Sequence, residues 1–187
     1  MSGPFNFTVD KFDKDTALFF AKLSKAAYYS QKAFIHFLRQ EKISKINYKF
    51  LDLDSSQAYV LWDDENFIVA FRGTETSEVK DILSDAKIWK SRAWEGGKVH
   101  TGFKGYVDEI WADIKMLFFK HGTNEETKKT KKVYFTGHSL GGAAATIGAA
   151  RLGTFSTGCF TFGSPRVGNR KFVKSIYCPV WRFRNKR

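Results

Sequence analysis

Apolar and polar positions alternate along the chain with two periods, one helical and one strand-like. Asp13-Lys-Asp-Thr16 supplies helix-start residues, and residues 17–28 then carry apolar side chains at helical spacing. Residues 34–38 predict a second, short helix. Three strands follow, over 46–53, 57–62 and 67–71, with Asp63-Asp-Glu-Asn66 as the hairpin turn between the last two. Residues 76–89 read as a mobile loop or short helix. A long helix is predicted over 102–119, with Phe103, Tyr106, Val107, Ile110, Trp111, Ile114 and Leu117 on its apolar face. A polar loop, 120–132, leads into a strand at 133–136, a helix at 140–152 and a strand at 159–162. This is a βαβ unit, which requires a parallel sheet. Residues 180–183 are a last strand candidate. The expected fold is α/β: one domain over 1–187, with a mostly parallel sheet and flanking helices.

The junction between the strand at 133–136 and its following helix carries the chemistry. It reads Gly137-His138-Ser139-Leu140-Gly141. A strand that turns sharply into a helix leaves no room two residues before or after the tip, and both positions are glycine. Such a turn exposes the Ser139 hydroxyl, while the positive end of the helix faces the charge that develops in acyl transfer. The Leu140 amide is the first oxyanion donor. A second must come from an earlier strand end. Phe71-Arg-Gly-Thr74 leaves a strand through a glycine, and Thr74 offers both an amide and a hydroxyl. Blander readings stand beside these: Ser139 as a helix cap and Thr74 as a turn hydroxyl. The helix after Ser139, Gly141-Gly-Ala-Ala-Ala-Thr-Ile-Gly-Ala-Ala150, is nearly bare and suits very close packing on a sheet.

A serine nucleophile needs a base and an orienting acid. No Asp, Glu or His follows Ser139 in the sequence. Of the four histidines, His36 and His121 lie at helix positions, and His138 is expected to point away from its neighbour. His100 is the least implausible local stand-in, but as a loop or helix-cap residue it needs no special role.

Composition narrows the partners. The chain has 187 residues, a net charge of +12 and 17% aromatic residues. Most of the charge excess sits after Ser139, where nine Lys/Arg face no acid. That is not the helix-long basic stripe with interleaved aromatics that suits nucleic acid, so no nucleic-acid partner is expected. The basic tail does make an anionic membrane surface a candidate partner. Cys159 and Cys178 read as buried thiols. The N-terminus has no basic start and no apolar core of a signal peptide, and no segment has the apolar length of a membrane span. A cytoplasmic location is the expectation.

Several blocks together resemble the fungal-type class 3 lipases of the α/β-hydrolase superfamily. They are Leu23-Ser-Lys-Ala-Ala-Tyr28, Ile68-Val-Ala-Phe-Arg-Gly-Thr74, Val99-His-Thr-Gly-Phe103, Thr136-Gly-His-Ser-Leu-Gly-Gly-Ala143 and Thr161-Phe-Gly-Ser-Pro-Arg-Val-Gly-Asn169. The resemblance implies an α/β-hydrolase-like sheet whose C-terminal part is missing here. It makes Ser139 the nucleophile, Thr74 and Leu140 the oxyanion hole, Gly137 and Gly141 the elbow glycines, and residues 75–89 the lid. Asp85 falls on a commonly acidic lid position, and Ile82 stands where the family often has Trp. It also puts the family's catalytic Asp and His beyond Val180-Trp-Arg-Phe-Arg-Asn-Lys-Arg187. No metal or organic cofactor is implied; the substrate would be a lipid or small ester. Two readings follow: the N-terminal part of a serine ester hydrolase, or an inactive relic that binds lipid, membrane or protein. The chain as written is expected to be nearly inactive.

Overall fold

The computed structural model describes residues 7, 11–43, 45–73 and 91–184. Among them a six-stranded sheet runs in the order β1-β2-β3-β6-β7-β8. Its strands are β1 (Asn47–Asp52), β2 (Gln57–Trp62), β3 (Asn66–Phe71), β6 (Lys132–His138), β7 (Ser156–Phe162) and β8 (Val180–Phe183). A separate two-stranded hairpin comprises β4 (Ser91–Arg92) and β5 (Lys98–Val99). β1, β2 and β3 pair antiparallel, whereas β3–β6, β6–β7 and β7–β8 are parallel. The fold is therefore the expected α/β architecture with a mostly parallel sheet.

Helices cover both faces. α1 (Lys14–Ala26) and α2 (Gln31–Gln40) lie on one side, and α3 (Thr101–His121) and α4 (Leu140–Leu152) on the other. Each helix start has a chemical cause. Asp13 accepts from the Thr16 amide at 2.7 Å, and Ser30 caps α2 through the Ala33 amide. Asp63 turns the β2–β3 hairpin by accepting from the Glu65 and Asn66 amides.

The strands alternate between two cores. Phe67, Val69, Phe71, Val133 and Phe135 face α3 and α4; Tyr59, Leu61, Ile68, Ala70 and Tyr134 face α1 and α2. β3 is buried at all six positions, as a strand covered on both faces must be. The second core is unusually aromatic, with Phe34 stacked on Tyr59 at 3.7 Å and Phe20 on Phe160 at 4.3 Å. α4 is buried at every position from Leu140 to Ala150. Its small side chains let it sit against the sheet: a methyl group on Gly148 would lie 3.0 Å from the Phe135 ring.

Differences from the sequence expectation are local. The strand predicted at 133–136 extends to Lys132–His138, and that at 159–162 starts at Ser156. The β4–β5 hairpin and the one-turn helix α5 (Arg170–Val173) were not expected from the pattern, because two-residue strands and a four-residue helix show no period. The predicted segment at 76–89 lies outside the described residues. Glu95 of the hairpin lies 3.4 Å from Arg151 at the end of α4, and Arg151 also pairs with Asp108 on α3.

Candidate active site

Ser139 sits at the tip of β6, where parallel α/β sheets place their ligands. Its backbone is held at φ 55° and ψ −121°. A non-glycine residue at positive φ is uncommon and costs on the order of 1–3 kcal/mol unless its surroundings impose it. Here they do. The Ser139 amide donates to the Phe162 carbonyl of β7 at 2.9 Å, and the Ser139 carbonyl accepts from Gly142 and Ala143 in the first turn of α4. Although Ser139 occupies the cap position of α4, its side chain makes no capping hydrogen bond. The helix-cap reading is thereby excluded, and the hydroxyl is not spent on the backbone.

The glycines around the tip are steric necessities. A methyl group on Gly137 would collide with the Gly141 carbonyl group and lie 2.8 Å from the Gly142 nitrogen. One on Gly141 would lie 3.0 Å from both the Arg72 carbonyl carbon and the Gly73 nitrogen, and closer still to the Phe71 oxygen. The exit of β3 is thus pressed against the start of α4. Gly73 also approaches the His138 carbonyl oxygen, so that a methyl there would lie 2.6 Å from it. Thr74, the next residue, lies outside the described residues, as do 75–89 with Ile82 and Asp85. Leu140 opens α4, and its amide falls among the first-turn groups that have no intrahelical acceptor.

The histidines are disposed differently from one another. His138 Nδ1 is hydrogen-bonded to the Tyr28 hydroxyl at 3.0 Å, which engages its ring with the end of α1. Burial holds its pKa below the usual 6.5. His100 caps α3: its Nδ1 accepts from the Gly102 amide at 3.2 Å. Its role as a cap, one of the two readings open from the sequence, is the one observed. His121 stacks on Trp62 at 4.3 Å, beside the opposite end of the sheet from Ser139. β6 alone separates the two ends by about 20 Å, at roughly 3.3 Å per residue. His36 is exposed on α2. Two contacts were not foreseeable from local sequence, Tyr28–His138 and the buried Ser24–Thr136 hydroxyl pair at 2.7 Å, because each joins residues more than a hundred positions apart.

Cys159 and Cys178 are free, buried thiols. Burial pushes Cys178 up to about 11 and Cys159 well above its ordinary value. Among the described residues no cluster of three His, Cys, Asp or Glu could hold a metal ion, and no helix is long and apolar enough to cross a membrane.

A mostly parallel sheet, a positive-φ serine at a strand tip and a bare helix behind it define an α/β-hydrolase fold. The profile of the family described as Lipase (class 3) matches residues 68–187. The chain belongs to the class 3 lipase family. It is 34% identical to "Lipase" of Rhizopus niveus over 149 residues, covering 72% of this chain and 37% of that protein. It is 43% identical to "Secreted mono- and diacylglycerol lipase 1" of Fusarium solani over 83 residues, covering 43% of this chain and 24% of that one. The chain therefore spans little more than a third, at most, of these two relatives. Among solved structures, lipase II from Rhizopus niveus superposes with a TM-score of 0.65 at 26% identity, over 91% of this chain and 72% of that one. The crystal structure of a fungal lipase reaches 0.72 at 21% identity, over 93% and 72%. Several relatives are named as secreted lipases, which lends no support to the expected cytoplasmic location.

Proposed function

We propose that this chain carries the acylation half of a lipid carboxylic-ester hydrolase of triacylglycerol-lipase type, with Ser139 as nucleophile. The observation that carries the proposal is the strained elbow. Ser139 is held at positive φ by β7, by α4 and by two glycines, yet its hydroxyl makes no capping bond. Such strain persists where it has a use. In the proposed reaction, Ser139 Oγ attacks the ester carbonyl and its proton passes to a base. The negative oxygen of the tetrahedral intermediate is held by the Leu140 amide, with Thr74 as second donor at the exit of β3. Collapse expels the alcohol, and water then releases the acyl group as a carboxylic acid. No cofactor takes part.

The base is the open element. His138 is engaged with Tyr28, His100 with its helix, and no acid or histidine follows Ser139 in the sequence. Because triad members act as a unit, the 187-residue polypeptide alone is expected to show only residual turnover. The names of the relatives support a glyceride ester as substrate.

The test uses a fluorophosphonate probe and mass spectrometry, together with hydrolysis of p-nitrophenyl butyrate. In a chain extended with the corresponding C-terminal region of a relative, which supplies the base, labelling confined to Ser139 and abolished by Ser139→Ala is expected. The same extended chain should turn over the ester and lose that activity on Ser139→Ala. Equal hydrolysis by the Ser139→Ala form would overturn the assignment.

A further inference from the structure

Two hydroxyl contacts dock α1 on β6. Ser24 Oγ meets Thr136 Oγ1 at 2.7 Å, and the Tyr28 hydroxyl meets His138 Nδ1 at 3.0 Å. The spacings match. Ser24 and Tyr28 are four residues apart, about 6 Å along a helix, and Thr136 and His138 are two apart, about 6.6 Å along one face of a strand. Tyr28 continues the last turn of α1, its amide donating to the Lys25 carbonyl at 3.2 Å. The first contact is buried, whereas the second is exposed and lies beside the elbow.

The Tyr28 hydroxyl also meets the exit of β3. Its oxygen lies 3.5 Å from the His138 carbonyl oxygen, and a methyl group on Gly73 would overlap it. The Arg72 guanidinium stands over the Tyr28 ring at 5.9 Å, a second link from α1 to the same exit. From the opposite layer, Tyr106 of α3 donates to the Arg72 carbonyl at 2.8 Å. One phenol oxygen is thus wedged between the residue before Ser139 and the residue before Thr74. The gap between Gly73 and His138 governs how far apart the two proposed oxyanion donors stand, because Thr74 follows Gly73 and Leu140 opens the helix after Ser139. An exposed hydrogen bond adds little to stability, but small displacements of oxyanion donors are costly in rate.

We infer that Tyr28 is a positioning residue for acylation: its hydroxyl, set between Gly73 and His138, fixes the spacing of the β3 exit and the elbow, and with it the width of the oxyanion hole. It acts through these neighbours and not on the substrate. The inference rests on the proposed ester-hydrolase reading.

The test is Tyr28→Phe, which keeps the ring and removes the hydroxyl. In the chain extended with a relative's C-terminal region, kcat and kcat/KM for p-nitrophenyl butyrate should both fall about tenfold with KM unchanged, the pattern of an interaction that counts only in the transition state. Thr157→Val is the control. It removes the acceptor of the Val133 amide, 2.9 Å away at the other end of β6. It should lower the thermal midpoint at least as much as Tyr28→Phe and leave kcat unchanged. In amide NMR spectra of the 187-residue chain, Tyr28→Phe should displace the Gly73 and Leu140 resonances and leave that of His121 in place. An unchanged kcat in Tyr28→Phe, an equal kcat loss in Thr157→Val, a rise in KM alone, or unmoved Gly73 and Leu140 resonances would overturn this inference and leave the hydrolase reading standing. An extended parent chain without Ser139-dependent turnover would overturn the hydrolase reading, and this inference with it.

Discussion

Adding one methyl group at Gly141 should destabilise the fold by separating the elbow from the sheet, and the same change at Gly105 should stabilise it. The added carbon at Gly141 would meet the Arg72 carbonyl carbon and the Gly73 nitrogen at 3.0 Å, with the Phe71 oxygen closer, whereas ordinary contact begins at 3.4 Å. All three atoms are backbone, so no rotamer change relieves the overlap. The end of β3 or the start of α4 must move. Overpacking of side chains costs about 1–3 kcal/mol, and a rigid backbone neighbour places Gly141→Ala near the top, about 3 kcal/mol. The helix propensity of alanine returns up to about 1 kcal/mol, which leaves a net loss of roughly 2 kcal/mol. Gly105, on the exposed side of α3, has nothing within 4 Å of its would-be methyl. Gly105→Ala should therefore stabilise by about 0.5–1 kcal/mol. For a chain of this size each kcal/mol moves the midpoint by about 2–4 °C, so the two variants should melt roughly 5–12 °C apart. Thermal unfolding by circular dichroism, with urea midpoints alongside, measures the split. Two variants that melt together, or a Gly141→Ala protein as stable as the parent, would refute the packing argument.

Other substitutions probe other links. Thr136→Val removes the partner of the buried Ser24 hydroxyl and should cost about 2 kcal/mol in urea unfolding, because Ser24 Oγ then loses its 2.7 Å hydrogen bond. The Glu95 carboxyl is raised above its ordinary 4.5 chiefly by burial, with Arg151 opposing. Because the folded-state pKa is the higher one, its contribution to stability is fully present below pH 4.5 and is lost as pH rises from there through the raised folded-state pKa. Glu95→Gln, which stays neutral, should show a smaller fall in urea midpoint than the parent across that window. Both cysteines should resist a thiol reagent such as dithionitrobenzoate at pH 8 in the folded protein and react on unfolding; a rapidly reacting native thiol would contradict their burial.

The parts of the fold that local chemistry determines could be read from the chain. Asp13 marks its helix because a side-chain oxygen before an apolar helix has one natural use. The Asp63–Asn66 turn, the βαβ unit around Ser139 and the glycines at 137 and 141 follow from equally local rules. What could not be read depends on which distant segments meet. The Tyr28–His138 bond and the Arg151–Glu95 pair both join separate elements. No spacing along the sequence encodes them. The cap role of His100, the reading the sequence favoured, needed the structure for a different reason. A histidine before a long helix can cap or catalyse, and only the Gly102 contact distinguishes the two.

The bareness of α4 also bears on the order in which the chain folds. Its sequence, LGGAAATIGAARL, holds three glycines and no charged pair that could bridge successive turns. A thirteen-residue segment of that kind has little tendency to coil by itself in water. It gains its stability from β3, β6, β7 and α3, which must already be near one another when it forms. Helix formation at α4 is then expected to follow the meeting of its neighbours, with the elbow completed along with it. Partly folded chains would present Ser139 as an ordinary serine. The positive φ of Ser139 would then be imposed only once the helix has docked.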